Sequence, residues 1–397
     1  MQPSEFTKDA PGRLIQAPSG YWSFVPDPLP PRLTWTDELV AALSEADRAV
    51  GRLAGEGSRL AEPRLLHLLS RPFVRNEAVL SSRIEGTRTV LEQLLLFEQS
   101  DPAATDEADP DDAREVSNYV RALEGGLRAL EAGAPISLHL IRQLHAALME
   151  DVRGGDKNPG AWRTRPVFID SRPVPPEQAR FVPPPPELVP ECLEALVSYL
   201  RAPARLPPLV RAAVAHYQFE TIHPFNDGNG RVGRLLITLM LAADGLLTQP
   251  PVYLSAYFEA RRREYYDGLL SVSRSAGWAD WIAFFLRGIA AQAHDACERV
   301  GRLLGLREEW RAACSPLPRP AKAVELVDRL FAYPAVGVGR AAELLGVTFP
   351  TAQNVIDRLV GLGLLREVTG RQRNRVYLAE RIVRMLDEPA PQPGAPP

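Results

Sequence analysis

Twelve residues, His223 to Arg234, gather a proton acceptor, a hard oxygen ligand, a glycine loop and two cations. His223 is a side chain whose ordinary pKa lies near neutrality, suited to taking a proton from a hydroxyl. Asp227 offers a carboxylate oxygen to Mg2+. Gly228 and Gly230 allow backbone conformations closed to other residues, and a glycine loop feeding a helix N-terminus aims backbone amides at one spot, which suits phosphate. Arg231 and Arg234, three apart, share a helix face just inside that anion site. Phe225, between these polar groups, reads as the loop's anchor in the core. A His before Pro is commonly structural when met alone, and Gly-Asn-Gly is commonly a turn. The joint pattern is far more restrictive, and it reads as metal-assisted nucleotidyl or phosphoryl transfer.

Two helices must hold this loop. Upstream, Leu209 to Ile222 carries Val210, Val214, Tyr217 and Phe219 at helical spacing and reads as amphipathic. Pro224 makes a helical His223 unfavourable, so the chain turns there. Downstream, Leu235 to Ala243 resumes a strongly apolar helix.

At every defined position the stretch resembles the signature of the Fic (filamentation induced by cAMP) family, His-x-Phe-x-Asp/Glu-Gly-Asn-Gly-Arg-x-x-Arg. The resemblance implies a mainly α fold, a Fic-type helical domain with a β-hairpin flap. It also implies a protein adenylyltransferase, moving AMP from ATP to a Ser, Thr or Tyr hydroxyl of a target protein with release of pyrophosphate. On that analogy His223 is the base and Asp227 holds Mg2+. Gly228, Asn229, Gly230, Arg231, Val232, Gly233 and Arg234 form the nucleotide-binding run. Asn229 and the loop amides bind the reacting phosphate, Arg231 supports the phosphate chain and Arg234 engages the γ-phosphate. Tyr265 and Tyr266 match a pair lining the adenine side, and Ser273 stands where some members have Asn. Ser81, Glu85 and Gly86 match the family's inhibitory motif, in which the Glu pairs with the second arginine, here Arg234, in place of the γ-phosphate. By spacing alone Glu85 reads as a solvated or locally paired acid. Two other uses of the chain stay open: an AMP-removing hydrolase in which Glu85 orients water, and a nucleotide-sensing DNA-binding regulator.

At 397 residues, 45% hydrophobic, the chain has room for two or three domains and a sizeable core. A formal net charge of −3 gives no global field toward nucleic acid or membrane. Cys192, Cys297 and Cys314 lack metal-ligand spacing, and any pairing strands one of them, so a reducing cytoplasm is the simpler expectation. Met1 to Asp9 lacks a signal-peptide plan, and no run nears the roughly 20 apolar residues of a membrane span.

The expected layout is an N-terminal arm and helices (1–111), a catalytic domain (112–315), a winged helix-turn-helix (321–383) and a disordered tail (384–397). Gln2 to Arg32 reads as an extended arm packed on the body. Thr36-Asp37 and Ser137 read as helix caps, and Ser100 to Asp112 as a mobile acidic loop. Ala161 to Ile169 reads as a strand pairing near Ala179 to Val182 in the flap. In the last domain three helical patterns precede two strands, whose hairpin tip carries Arg371, Arg373 and Arg375. That tip suits duplex DNA, with protein contacts or dimerisation as the other use. Formation of a homodimer is left open, and no membrane contact is expected.

Overall fold

In chain order, β1 (Gly12–Gln16) and β2 (Trp22–Pro26) precede α1 (Asp37–Arg59), α2 (Pro63–Ile84), α3 (Leu91–Gln99), α4 (Pro110–Glu131), α5 (Leu138–Leu148) and α6 (Val189–Arg201). The central helices are α7 (Pro208–Ile222) and α8 (Asn229–Ala243), followed by α9 (Leu254–Ala260), α10 (Arg262–Ser275) and α11 (Trp278–Cys314). The chain closes with α12 (Ala321–Leu330), β3 (Ala335–Gly337), α13 (Val338–Leu345), α14 (Phe349–Gly361), β4 (Arg366–Glu367), β5 (Val376–Leu378) and α15 (Glu380–Asp387). This computed structural model describes residues 1–59, 63–99, 110–152, 158–170, 174–246, 252 and 254–388. Most of the acidic stretch, 100–109, therefore lies outside the described residues. Its last part does not: 110–112 form the first turn of α4.

The described residues fall into two compact units that interleave along the chain. One takes in Met1–Gly51, Asn118–Thr248 and Leu254–Ala291, the other Arg52–Ser117, Gln249–Tyr253 and Gln292–Pro397.

The first unit is built around α7, and here the expected amphipathic pattern gives way. Residues on every face of α7 are buried, among them Arg211, His216 and Gln218. Small and apolar residues (Ala212, Ala213, Val214, Ala215) let neighbours close in on all sides. The polar residues are tolerated because each finds a partner. Gln218 donates to the Asp27 carbonyl (3.0 Å), Arg211 reaches Asp244 (3.3 Å), and the Tyr217 hydroxyl meets Ser273 Oγ (2.9 Å). The cap expectations hold. Thr36 Oγ1 accepts the Leu39 N–H and Ser137 Oγ accepts the Leu140 N–H, both at 3.2 Å.

The N-terminal arm is packed as expected, but as a hairpin. β1 and β2 pair antiparallel with Leu14 opposite Phe24. Phe24 is fully buried among Met1, Ala179, Phe181 and Val182, and its N–H donates to the Val182 carbonyl (2.9 Å). The expected flap hairpin is cut down to one antiparallel bridge, Ile169 with Phe181. The rest of 161–168 is irregular, because Arg163 spends its N–H elsewhere and Pro166 has none to give.

In the second unit β3, β5 and β4 form a three-stranded antiparallel sheet in that order, with α13 and α14 between β3 and β4 in the chain. Arg307 and Arg311 of α11 both reach Asp328 of α12, each at 2.7 Å. The expected disordered tail needs correcting at its start. Residues 384–387 belong to α15, whose Ile382, Val383 and Leu386 are buried. The Leu386 carbonyl accepts from Asn76 of α2 (2.8 Å) and from Arg299 of α11 (2.9 Å). No helix among the described residues is long and apolar enough to cross a membrane.

Candidate active site

α7 ends as Pro224 demands, and its cap residue His223 takes the left-handed conformation, φ 50°, ψ 62°. The His223 N–H still donates to Phe219 O (3.0 Å). The ring folds back so that Nδ1 meets the Glu220 carbonyl at 3.2 Å. A carbonyl only accepts, so Nδ1 carries the proton and the neutral ring has a proton-free Nε2. That is the tautomer a general base needs.

The loop beyond is clamped from both sides. Phe225 is fully buried. Its ring lies on His145 with 3.7 Å between centroids and 6° between planes, and Trp162 flanks it at 5.0 Å. The Asn229 Oδ1 accepts the Phe225 N–H (2.8 Å) while its Nδ2 donates to the Phe225 carbonyl (2.9 Å). The Asn229 carboxamide thus closes the loop, with one of its two N–H groups spent on the Phe225 carbonyl.

Gly228 is the residue whose glycine identity the turn requires, with φ at 74°. Gly230 is not left-handed, as the glycine pattern led one to expect, but lies in the first turn of α8. The helix therefore starts earlier than its apolar run. Its ladder opens with Val232 N–H on Gly228 O (3.0 Å), so the amides of Asn229, Gly230 and Arg231 precede the first rung and converge at the helix N-terminus. Arg231 and Arg234 follow there, 4% and 2% exposed. Arg231 stands 3.9 Å from Asp227 Oδ1, and that oxygen also accepts the Gly228 N–H (2.7 Å). Val232 is buried in the core. Gly233 is where α7 comes close, since a Cβ there would fall 2.2 Å from Glu220 Oε1 and 3.2 Å from the Phe219 ring.

Two polar residues missing from the sequence reading hold this loop. His145 of α5 is buried, accepts the Gly160 N–H on Nδ1 (2.8 Å) and therefore donates from Nε2 to the Asp227 carbonyl (3.1 Å). Burial pushes its pKa down to about 4, so it stays neutral. Its signal was a polar residue one step from Leu144 on the inward stripe of α5. The other is Arg163, whose buried side chain reaches the His223 carbonyl (2.7 Å). Nothing in the 161–169 pattern marks it, since it reads there as one strand position among nine.

Tyr265 does not line an open adenine pocket. It is 1% exposed, its hydroxyl is bonded to His216 Nε2 (2.9 Å), and its ring stacks on Phe258 (4.4 Å). Tyr266, next to it, is half-buried. Ser81, Glu85 and Gly86 belong to the second unit. Ser81 is buried in α2, and Glu85 and Gly86 form the exposed turn that ends it, with Gly86 at φ 106°.

Two stretches of the chain are similar to known proteins. Residues 135–241 match the Fic/DOC family, and residues 40–128 match the Fic/DOC family N-terminal region. Residues 135–241 thus carry a Fic/DOC domain, with a Fic/DOC N-terminal region ahead of it. The first match contains the whole of His223 to Arg234, and the second contains Ser81 to Gly86. A probable protein adenylyltransferase of Aquifex aeolicus is 42% identical over 86 residues, 21% of this chain and 27% of that protein. The protein adenylyltransferase fic-1 of Caenorhabditis elegans is 34% identical over 163 residues, 38% of this chain and 28% of that protein. The chain thus spans little more than a quarter of the length of these curated relatives. A crystal structure of a Fic family protein from Desulfovibrio desulfuricans G20 shares the fold at a TM-score of 0.56 and 21% identity, covering 88% of this chain and 98% of that one. The C. elegans Fic-1 structure gives a TM-score of 0.53 at 26% identity, covering 67% of this chain and 74% of that one.

Proposed function

We propose that this protein transfers AMP from ATP to a hydroxyl side chain of a target protein. The observation that carries the reading is the contact of His223 Nδ1 with the Glu220 carbonyl, which in a neutral ring leaves Nε2 as the proton acceptor, a few residues ahead of the N-terminus of α8. The target O–H gives its proton to Nε2, and its oxygen forms a bond to the α-phosphorus. The bond from that phosphorus to the bridging oxygen breaks, and pyrophosphate leaves. The amides of Asn229, Gly230 and Arg231 face the phosphates, Arg231 supports the chain, and Arg234 engages the γ-phosphate. Tyr266 is left as the adenine-side ring of the tyrosine pair.

Asp227 is proposed to hold Mg2+. Mg2+ takes one or two carboxylates and fills its shell with phosphate oxygens and water, so a single Asp227 carboxylate fits it. When bound, Mg2+ would neutralise phosphate charge. Inhibition by Glu85 acting through Arg234 rests on the Ser81–Glu85–Gly86 motif.

The C-terminal module is read as a winged helix-turn-helix, with helix order and sheet as described above. The exposed side of α14 carries Phe349, Thr351, Asn354 and Asp357. Its Arg358 is tied to the Pro318 carbonyl (2.7 Å) and Arg340 of α13 to Glu343 (2.8 Å). Phosphate contacts to duplex DNA would therefore fall to the wing, with Arg373 and Arg375 exposed.

The deciding experiment incubates the protein with labelled ATP, Mg2+ and cell lysate. Label covalently on protein, and absent with His223→Ala, supports transfer. Loss of label from pre-modified protein points to the hydrolase, and bound but unreacted ATP to the nucleotide sensor.

A further inference from the structure

Arg163 lies outside the family signature and is buried to 2% exposure. Its guanidinium is satisfied by four backbone carbonyls. Nε donates to His223 O (2.7 Å), one terminal nitrogen to Pro184 O (2.6 Å) and Ile222 O (3.3 Å), and the other to Arg165 O (3.4 Å). Its backbone N–H donates to Pro224 O (2.8 Å). Burial lowers its pKa to about 10, which leaves it charged at neutral pH.

Ile222 and His223 are the last residue and the cap of α7. Carbonyls there lack intrahelical donors, and the helix dipole favours a cation. His223 also stands in the left-handed region immediately before a proline, where sterics oppose it. Such a conformation persists only where the surroundings over-determine it. Arg163 holds both sides of this left-handed turn, by its guanidinium at the His223 carbonyl and by its backbone N–H at the Pro224 carbonyl.

We propose that Arg163 is a positioning residue for the transfer reaction. It fixes the left-handed turn at His223, so that the ring keeps its Nδ1 proton on Glu220 O and offers a proton-free Nε2 to the hydroxyl. The inference rests on the reading of His223 as the base. A lysine would keep the charge but lacks the planar fork that spans four carbonyls, so it should not substitute fully.

The test compares the full chain as wild type, Arg163→Lys and Arg163→Ala by kcat, KM for ATP, thermal unfolding and 15N-histidine NMR of the His223 ring, assigned with His223→Gln. Arg163→Lys is expected to lower kcat about tenfold or more at unchanged KM for ATP, and to shift the ring from the Nδ1–H form toward a mixture. Guanidinium added to Arg163→Ala is expected to restore part of kcat. A wild-type kcat and tautomer in Arg163→Lys overturns the proposal. So does a kcat loss that follows the folded fraction while the tautomer holds. A wild-type ring found in the Nε2–H form overturns it without any variant. The tautomer readings need no turnover, so they stand or fall separately from the AMP-transfer reading.

Discussion

The His145 ring lies flat against the Phe225 ring, 3.7 Å between centroids, while its two nitrogens bond the backbone of Gly160 and Asp227. One side chain thus supports the anchor of the loop and fixes the backbone of the proposed metal ligand. His145→Phe keeps a ring on Phe225 but strands the buried Gly160 N–H and removes the donor to the Asp227 carbonyl. A buried orphan costs about 1–3 kcal/mol. Chemical denaturation should show a loss in that range, and transfer should fall further than the folded fraction accounts for.

His216 gives a pH dependence with a definite sign. Burial lowers its pKa from 6.5 to about 3, and His145 is shifted the same way. Below pH 6.5 the unfolded chain binds protons that the native state refuses, so stability is full above that pH and is lost as pH falls toward 3. The contribution is about 1.4 kcal/mol per pH unit once the unfolded imidazole is charged. Thermal unfolding between pH 7 and 5 should be steeper for the wild type than for His216→Gln; equal slopes would count against a neutral buried imidazole.

His223→Ala should cost transfer about 10²–10⁴ in rate, the usual worth of a general base. ATP affinity by calorimetry should hardly change, because a proton acceptor is lost and a phosphate contact is not. Transfer at the wild-type rate would remove His223 from the mechanism.

Glu85→Gly should raise target or self-modification tenfold or more, equivalent to about 1.4 kcal/mol or more. Arg234→Ala in that background should reverse the gain, since inhibitor and γ-phosphate are proposed to compete for one guanidinium. The hydrolase reading gives a different result, in which modified target persists in Glu85→Gly after ATP is withdrawn. If neither rate changes, Glu85 is a surface acid.

Replacing Arg371, Arg373 and Arg375 together by Ala should abolish salt-sensitive binding of a labelled duplex while leaving transfer intact. This is a cleaner test than removing the domain, because α15 shares its core with α2 through Asn76 and the Leu386 carbonyl. Polarisation that shows no duplex binding by the wild type would favour protein contacts for this module.

The sequence determined the helix–loop–helix around His223, because those signals are local. Pro224 forbids continuation of α7, Gly228 supplies the left-handed turn, and the spacing of Arg231 and Arg234 places both on the first turns of α8. It also determined the caps at Thr36 and Ser137, where a side-chain oxygen three residues ahead of an amide suffices. What it missed depends on partners distant in the chain. Tyr265 is buried against Phe258 and His216, and the Asn229 carboxamide turns to Phe225 by the path of the loop. The same is true of α7, whose polar residues read as a solvated stripe until Asp27, Gly233 and Ser273 supply their partners. Arg163 and His145 lie 60 and 82 residues from the backbone groups they hold. A hydrogen bond across that separation leaves no periodicity in the sequence, so only the tertiary fold could show that the His223 turn is held from outside.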